Sequence, residues 1–246
     1  MFPKENSESN TPLTEKDLII PILLVLSKAQ QQGLPGLSTP QIRDLVVKAV
    51  VPSQADLEVV SSGEVRVERL ARNAISSHKA LEKKGYALTS NGLTSITFEG
   101  QKKLVEFFVL AMQGEAEEDG IEVPSDFDSE PLTESVLVAP ALMELVKAHI
   151  NGSGPVSIAK LISGISSNVT MSKEDKEKIG SGDVRGERLI RNLKSHKTLV
   201  KKGLATESVD GLEIADEGWK LLLNAYLDII PTPDFSVPVA RKPKIV

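Results

Sequence analysis

The chain of 246 residues has no cysteine, which excludes disulfides and thiolate metal sites and agrees with a reducing, cytoplasmic location. Its three histidines, His78, His149 and His196, are too scattered to build a metal cluster, and no metal or other cofactor is expected. Long hydrophobic runs are missing too. The longest candidate, Leu18 to Leu26, follows an acidic, polar leader and is too short to span a bilayer, so it reads as a buried helix and no membrane partner is expected. Neither a hydrolase triad nor a phosphate-binding loop is present, and the chain reads as non-enzymatic.

What is present is a duplication. Ser62-Gly63-Glu64-Val65-Arg66-Val67-Glu68-Arg69-Leu70-Ala71-Arg72-Asn73 returns 119 residues later as Ser181-Gly182-Asp183-Val184-Arg185-Gly186-Glu187-Arg188-Leu189-Ile190-Arg191-Asn192. Leu13-Thr14-Glu15 and Pro21 repeat at the same offset, as Leu132-Thr133-Glu134 and Pro140. After the Asn the offset falls to 118, where Ser77-His78-Lys79 and Lys83-Lys84-Gly85 match Ser195-His196-Lys197 and Lys201-Lys202-Gly203. Copy one therefore carries one extra residue between Asn73 and His78. The repeat unit is as long as a domain and longer than the common solenoid repeats, so two globular modules are expected rather than a stacked array.

The net charge of −5 is unevenly placed. Eight carboxylates and no basic residue lie between Gln113 and Pro131, so the remainder of the chain carries +3. That stretch reads as a solvated acidic linker, and a chelating role fails because it lacks the ordered spacing of a calcium loop. The expected organisation is a flexible leader (1–12), domain one (13–113), the linker (114–131), domain two (132–230) and a Pro-rich basic tail (231–246).

Within one repeat, Thr14 reads as the N-cap of a first helix, Ser38-Thr39-Pro40 starts a second and Pro52-Ser53 a short third. From Glu64 the pattern is helical for about twenty residues up to Gly85, whose place behind Lys83 and Lys84 suits a helix C-terminus. Asn91-Gly92 between two short apolar stretches predicts a hairpin, and a last helix follows from about Phe98. Repeat two gives helices near 134–150, 157–167, 172–179, 183–202 and 215–229, with a hairpin around Asp210-Gly211. The fold class is mainly α with small β-hairpins, in the order of two tandem winged helix-turn-helix domains.

The motifs Ser62-Gly63 with Arg66, Arg69 and Arg72, then Leu81-Glu82-Lys83-Lys84-Gly85 and Ile96-Thr97-Phe98-Glu99-Gly100, resemble the N-terminal winged-helix domain of Mrr-type restriction endonucleases. Copy two carries the same pattern, with Ala215 in place of the Thr, and neither copy has an aromatic residue in the middle of the helix. The resemblance implies a non-catalytic binder of double-stranded DNA, serving as a regulator or as the recognition subunit of a restriction or defence system. A separate nuclease, methyltransferase or other subunit is then an implied partner. The nuclease domain itself is missing: the Glu-x-Lys matches at Glu82-Lys83-Lys84 and Glu174-Asp175-Lys176 fall in predicted helices. The alternative is a protein-protein adapter that uses winged-helix surfaces.

The residues expected to meet DNA are Arg66, Arg69, Arg72 and Asn73 in copy one, and Arg185, Arg188, Arg191, Asn192, Ser195 and Lys197 in copy two, with Asn91, Gly92 and Gly211 in the wings. Arg can fork onto guanine, Asn onto adenine, and Ser or Lys can meet phosphate. A structural use is also open, in which Arg66 and Arg185 pair with a carboxylate and pin the helix to its domain. His78 and His196 read as partly buried helix residues. The extra residue predicts a helical bulge between Ala74 and Ser77 that tilts the arginines of copy one, which leaves copy two the stronger base reader.

Overall fold

Helix α1 (Ile19–Gln31) is buried on nearly every side from Ile19 to Ala29, as its almost continuous apolar sequence requires. It starts later than the Thr14 cap suggests, because Thr14 and Asp17 close a separate turn in which the Asp17 carboxylate accepts from the Thr14 N–H and hydroxyl, both at 2.7 Å. This computed structural model describes residues 11–118 and 130–235. The leader up to residue 10, the centre of the acidic linker (119–129) and the tail beyond 235 lie outside the described residues.

After α1 come β1 (Leu37–Ser38), α2 (Thr39–Ala49), α3 (Arg66–Arg72), α4 (Ala80–Lys83), β2 (Ala87–Ser90), β3 (Leu93–Ile96) and α5 (Phe98–Glu118). The second repeat supplies α6 (Val138–Ile150), α7 (Ile158–Asn168), α8 (Arg185–Ser195), α9 (Thr198–Lys201), β4 (Ala205–Glu207), β5 (Leu212–Ile214) and α10 (Asp216–Ile229). The protein is thus mainly helical with small antiparallel sheets. In the first repeat β1, β3 and β2 form a three-stranded sheet in that order. In the second, β4 and β5 pair, and Val156, the equivalent of Leu37, makes a single bridge to Leu212.

The chain forms two compact units whose limits do not coincide with the repeat boundaries. Unit one comprises Met1–Leu104 with Leu227–Val246, and unit two is Val105–Tyr226. The divisions fall inside α5 and α10. Within unit one, Ile22, Leu23, Leu26, Leu37, Ile42, Val46, Ala71 and Leu81 form a core against which Tyr86 and Phe235 pack. The start of the Pro-rich tail therefore belongs to this core. Its end beyond 235 lies outside the described residues.

Two expectations about the helices need correction. The short third helix is only a 3₁₀ turn, Gln54–Leu57 in one copy and Glu174–Lys176 in the other. The chain beyond it folds back on itself, bridging Val59 to Val65 and Lys178 to Val184. The long helix expected to reach Gly85 also breaks: Lys79 and Lys197 adopt left-handed φ values of 47° and 56° and redirect the chain into α4 and α9. Neither Gly nor Pro marks that break, so periodicity alone runs through it.

The hairpins differ as well. Asn91 and Gly92 take φ of 52° and 77°, the pair of positive values that a tight type I′ turn needs. In copy two the turn residues are Val209 and Asp210, since Ser208 and Gly211 exchange backbone hydrogen bonds of 2.8 and 3.4 Å. Gly211 is therefore not at the tip where the sequence placed it. It flanks the turn, where a Cβ would lie 2.3 Å from the Val156 carbonyl oxygen.

Candidate nucleic-acid interface

The repeated polar row lies on α3 and α8, and its members divide into inward and outward groups. Arg66 and Arg185 point inward. The Arg66 guanidinium pairs with Asp56, which has no exposed surface, and its other nitrogen donates to the Leu13 carbonyl at 2.9 Å. Arg185 does the same with Asp175 and with the Leu132 carbonyl at 3.2 Å. Each aspartate also accepts from the backbone N–H of Leu13 or Leu132, and from both the N–H and the hydroxyl of Ser53 or Ser172. Burial by itself would push these carboxyls up, but the serine and backbone donors and the arginine outweigh it and hold both below the usual carboxylate range. This buried cluster ties the segment before the first helix to the arginine helix.

Arg72 and Arg191 fasten the same helix to the loop before it. Arg72 reaches both oxygens of Glu64 at 2.7 and 2.8 Å, and Arg191 reaches Asp183 at 2.6 Å and Glu187 at 3.4 Å. Hydrogen bonds from Arg191, Ser181 and Arg188 hold the Asp183 carboxyl below its ordinary range. The histidines are exposed rather than partly buried. His78 stands between the two oxygens of Glu15 at 2.8 and 3.0 Å, and His196 meets Glu134 at 2.9 Å.

The extra residue of copy one forms a π-helical turn at Asn73–Ser77. There the His78 N–H donates to the Asn73 carbonyl five residues back at 2.8 Å. In copy two the His196 N–H donates to the Asn192 carbonyl four residues back, also at 2.8 Å. The expected tilt of the copy-one arginines does not accompany the bulge: Arg66 and Arg72 keep the same kinds of partner as Arg185 and Arg191. The additional residue is absorbed between Asn73 and His78, a stretch in which Ala74 and Ile75 are buried, as Leu193 is between Asn192 and His196 in copy two.

The outward group consists of Arg69 in unit one and Arg188, Ser195 and Lys197 in unit two, with Asn73 and Asn192 half-buried. Exposed Lys83, Lys84, Lys201 and Lys202 follow in sequence at the ends of α4 and α9. Among the described residues Arg69 has no ion-pair partner, whereas Arg188 contacts Asp183 at 3.2 Å and Ser181 at 3.3 Å. The asparagines reverse that pattern. Asn73 donates to Glu15 at 3.3 Å, while Glu134 is bound instead by His196 and by Thr198 at 3.2 Å, which leaves the Asn192 amide without a side-chain partner among the described residues. Asn91 and Gly92 are exposed at their hairpin tip.

The anchoring carboxylates were not singled out from the sequence, although it held a signal for them. Ser53-x-x-Asp56 and Ser172-x-x-Asp175 repeat at the offset of 119, as do Glu15 and Glu134. Among the described residues no three His, Asp or Glu side chains are placed to hold a metal ion, and no helix is long and apolar enough to cross a membrane. Comparison with protein-family models, with curated proteins and with solved structures found no match to this chain.

Proposed function

We propose that this protein is a non-catalytic binder of duplex DNA made of two winged-helix-like modules, with α3 and α8 as the recognition helices. One observation carries the reading. Both copies retain the polar row, and once its inner arginines are committed to carboxylates, cationic and amide groups remain on the outer side of each helix. The element order supports it: helix, short strand, helix, 3₁₀ turn, arginine helix and hairpin, with the first strand or its single bridge joined to the hairpin. In this reading Arg69, Arg188, Lys197 and Ser195 contact phosphate or guanine, Asn192 reads a base edge, and Arg66 and Arg185 position the helices. A role as regulator or as recognition subunit of a restriction or defence system rests on the resemblance to the Mrr N-terminal module.

The test is a titration of the full chain with duplex DNA over a series of salt concentrations. Duplex binding that weakens linearly in log-log form as salt rises is the expected result. Absence of duplex binding at low salt would reject the proposal. The full chain is required, because cutting it in the linker would divide both compact units.

A further inference from the structure

The segment that leads into the arginine helix is pinned at the same place in both units, by Ser53 and Asp56 in unit one and by Ser172 and Asp175 in unit two. Around that pin the outer positions have changed character. Unit one carries Gln54, Leu57 and Val59, where unit two, 119 residues later, carries Lys173, Lys176 and Lys178. All six residues are exposed.

The three lysines follow a defined path. Lys173 precedes and Lys176 ends the 3₁₀ turn Glu174–Lys176, and Lys178 bridges Val184, the N-cap residue of α8. Between the bridged residues the chain makes a tight hairpin, in which the Ile179 N–H donates to the Asp183 carbonyl at 2.9 Å and the Gly182 N–H to the Ile179 carbonyl at 2.7 Å. Ser181 and Asp183 of that hairpin are the partners of Arg188, which joins the lysine arm to the outward group of α8. Among the described residues none of the three lysines has an ion-pair partner. Of the carboxylates interleaved with them, Glu174 meets Arg185 Nε at 3.3 Å and the buried Asp175 pairs with the same guanidinium, which leaves Glu177 as the one carboxylate of the arm not held by Arg185.

We propose that Lys173, Lys176 and Lys178 form a phosphate-binding strip of unit two that grips the backbone of duplex DNA beside the groove entered by α8. The inference rests on the DNA reading above and adds how unit two is held. Lysine suits this place, because its ammonium is a compact point charge on a flexible stem and can follow a phosphate without the planar fork that base reading uses. Arg188 is engaged by Asp183, so the arm supplies from outside the helix the phosphate contacts that α8 itself offers less freely. Unit one has no such strip, since Gln54, Leu57 and Val59 carry no charge.

The experiment uses the full chain with Lys173→Gln, Lys176→Leu and Lys178→Val, the residues that unit one carries at the same places. The same local fold accommodates them there, and circular dichroism should show the variant folded. The slope of log affinity against log salt for duplex binding should fall by about two to three relative to the unaltered chain, roughly one for each lost phosphate contact. In the unaltered chain the three lysines should lose most of their reactivity toward an acetylating reagent when duplex is bound, read by mass spectrometry, a result that does not depend on the folding of any variant. Salt-dependent duplex binding with an unchanged slope in the folded variant, or with the three lysines acetylated as fast as in the free chain, overturns the inference and leaves the DNA reading standing. Absence of duplex binding by the unaltered chain at low salt overturns both.

Discussion

The arginine helices of the two units share one sequence pattern but expose different chemistry. Unit one offers at Arg69 an exposed guanidinium with no ion-pair partner among the described residues, and ties its asparagine to Glu15. Unit two ties Arg188 to Asp183 and leaves the Asn192 amide without a side-chain partner among the described residues. The difference comes from small changes next to the row: Glu64 against Asp183, and Ala80 against Thr198, whose hydroxyl draws Glu134 away from the asparagine. Duplication kept the inner anchors and let the outer contacts diverge. On the proposed reading, unit one contributes charge and unit two contributes base discrimination.

The strongest test of what the copies share is to break their buried anchors. Arg66→Ala and Arg185→Ala each leave a fully buried aspartate without its cation and should destabilise the protein by about 3 kcal/mol in denaturant unfolding. A loss under about 1 kcal/mol in both would remove these pairs from the framework. The hairpins test what the copies do not share. Gly211→Ala combines a φ of 152° with a Cβ 2.3 Å from a carbonyl oxygen and should cost about 2 kcal/mol. Gly92→Ala has open space around it and should cost only about 1 kcal/mol, from its positive φ. Equal losses would contradict the different turn geometries.

Acid unfolding probes the buried aspartates that both units share. Asp56 and Asp175 are held below their ordinary value of 3.8 in the folded protein. Their stabilising contribution is therefore complete above that value and lost as pH falls through the lower, folded one. An Asp56→Asn, Asp175→Asn variant should unfold with a flatter pH dependence below about pH 4, measured by circular dichroism. An unchanged slope would show that other carboxylates control acid unfolding. The outer contacts are tested at the asparagines. Asn192→Ala should weaken binding to a preferred duplex by about 1.4 kcal/mol, or roughly tenfold, and Asn73→Ala by much less. The reverse order in a competition titration would exchange the roles assigned to the two units.

Much of this architecture was legible because a duplication states every signal twice. The first helix, the Ser38-Thr39-Pro40 start and the Asn91-Gly92 turn follow from apolar run, capping and turn chemistry. The extra residue between Asn73 and His78 announced the π turn, because both flanks keep the same partners and the insertion has nowhere else to go. The left-handed Lys79 and Lys197 were not legible, since lysine carries no local preference for positive φ and the conformation is set by what surrounds it. The inward use of Arg66 and Arg185 was open in the sequence but not decided, because an i, i+3, i+6 row does not reveal which residue faces a buried aspartate brought from ten positions earlier. The assignment of Leu227–Phe235 to unit one had no sequence signal of its own.

If the outward residues of α3 and α8 meet DNA, duplex binding by an Arg69→Ala, Arg188→Ala chain must lose part of its salt dependence. Circular dichroism should show the variant folded, since neither side chain belongs to a buried anchor. The slope of log affinity against log salt for duplex binding should then fall by about two relative to the unaltered chain, roughly one for each lost phosphate contact. A folded variant with the original slope and affinity would contradict the assignment and leave both arginines as solvated surface.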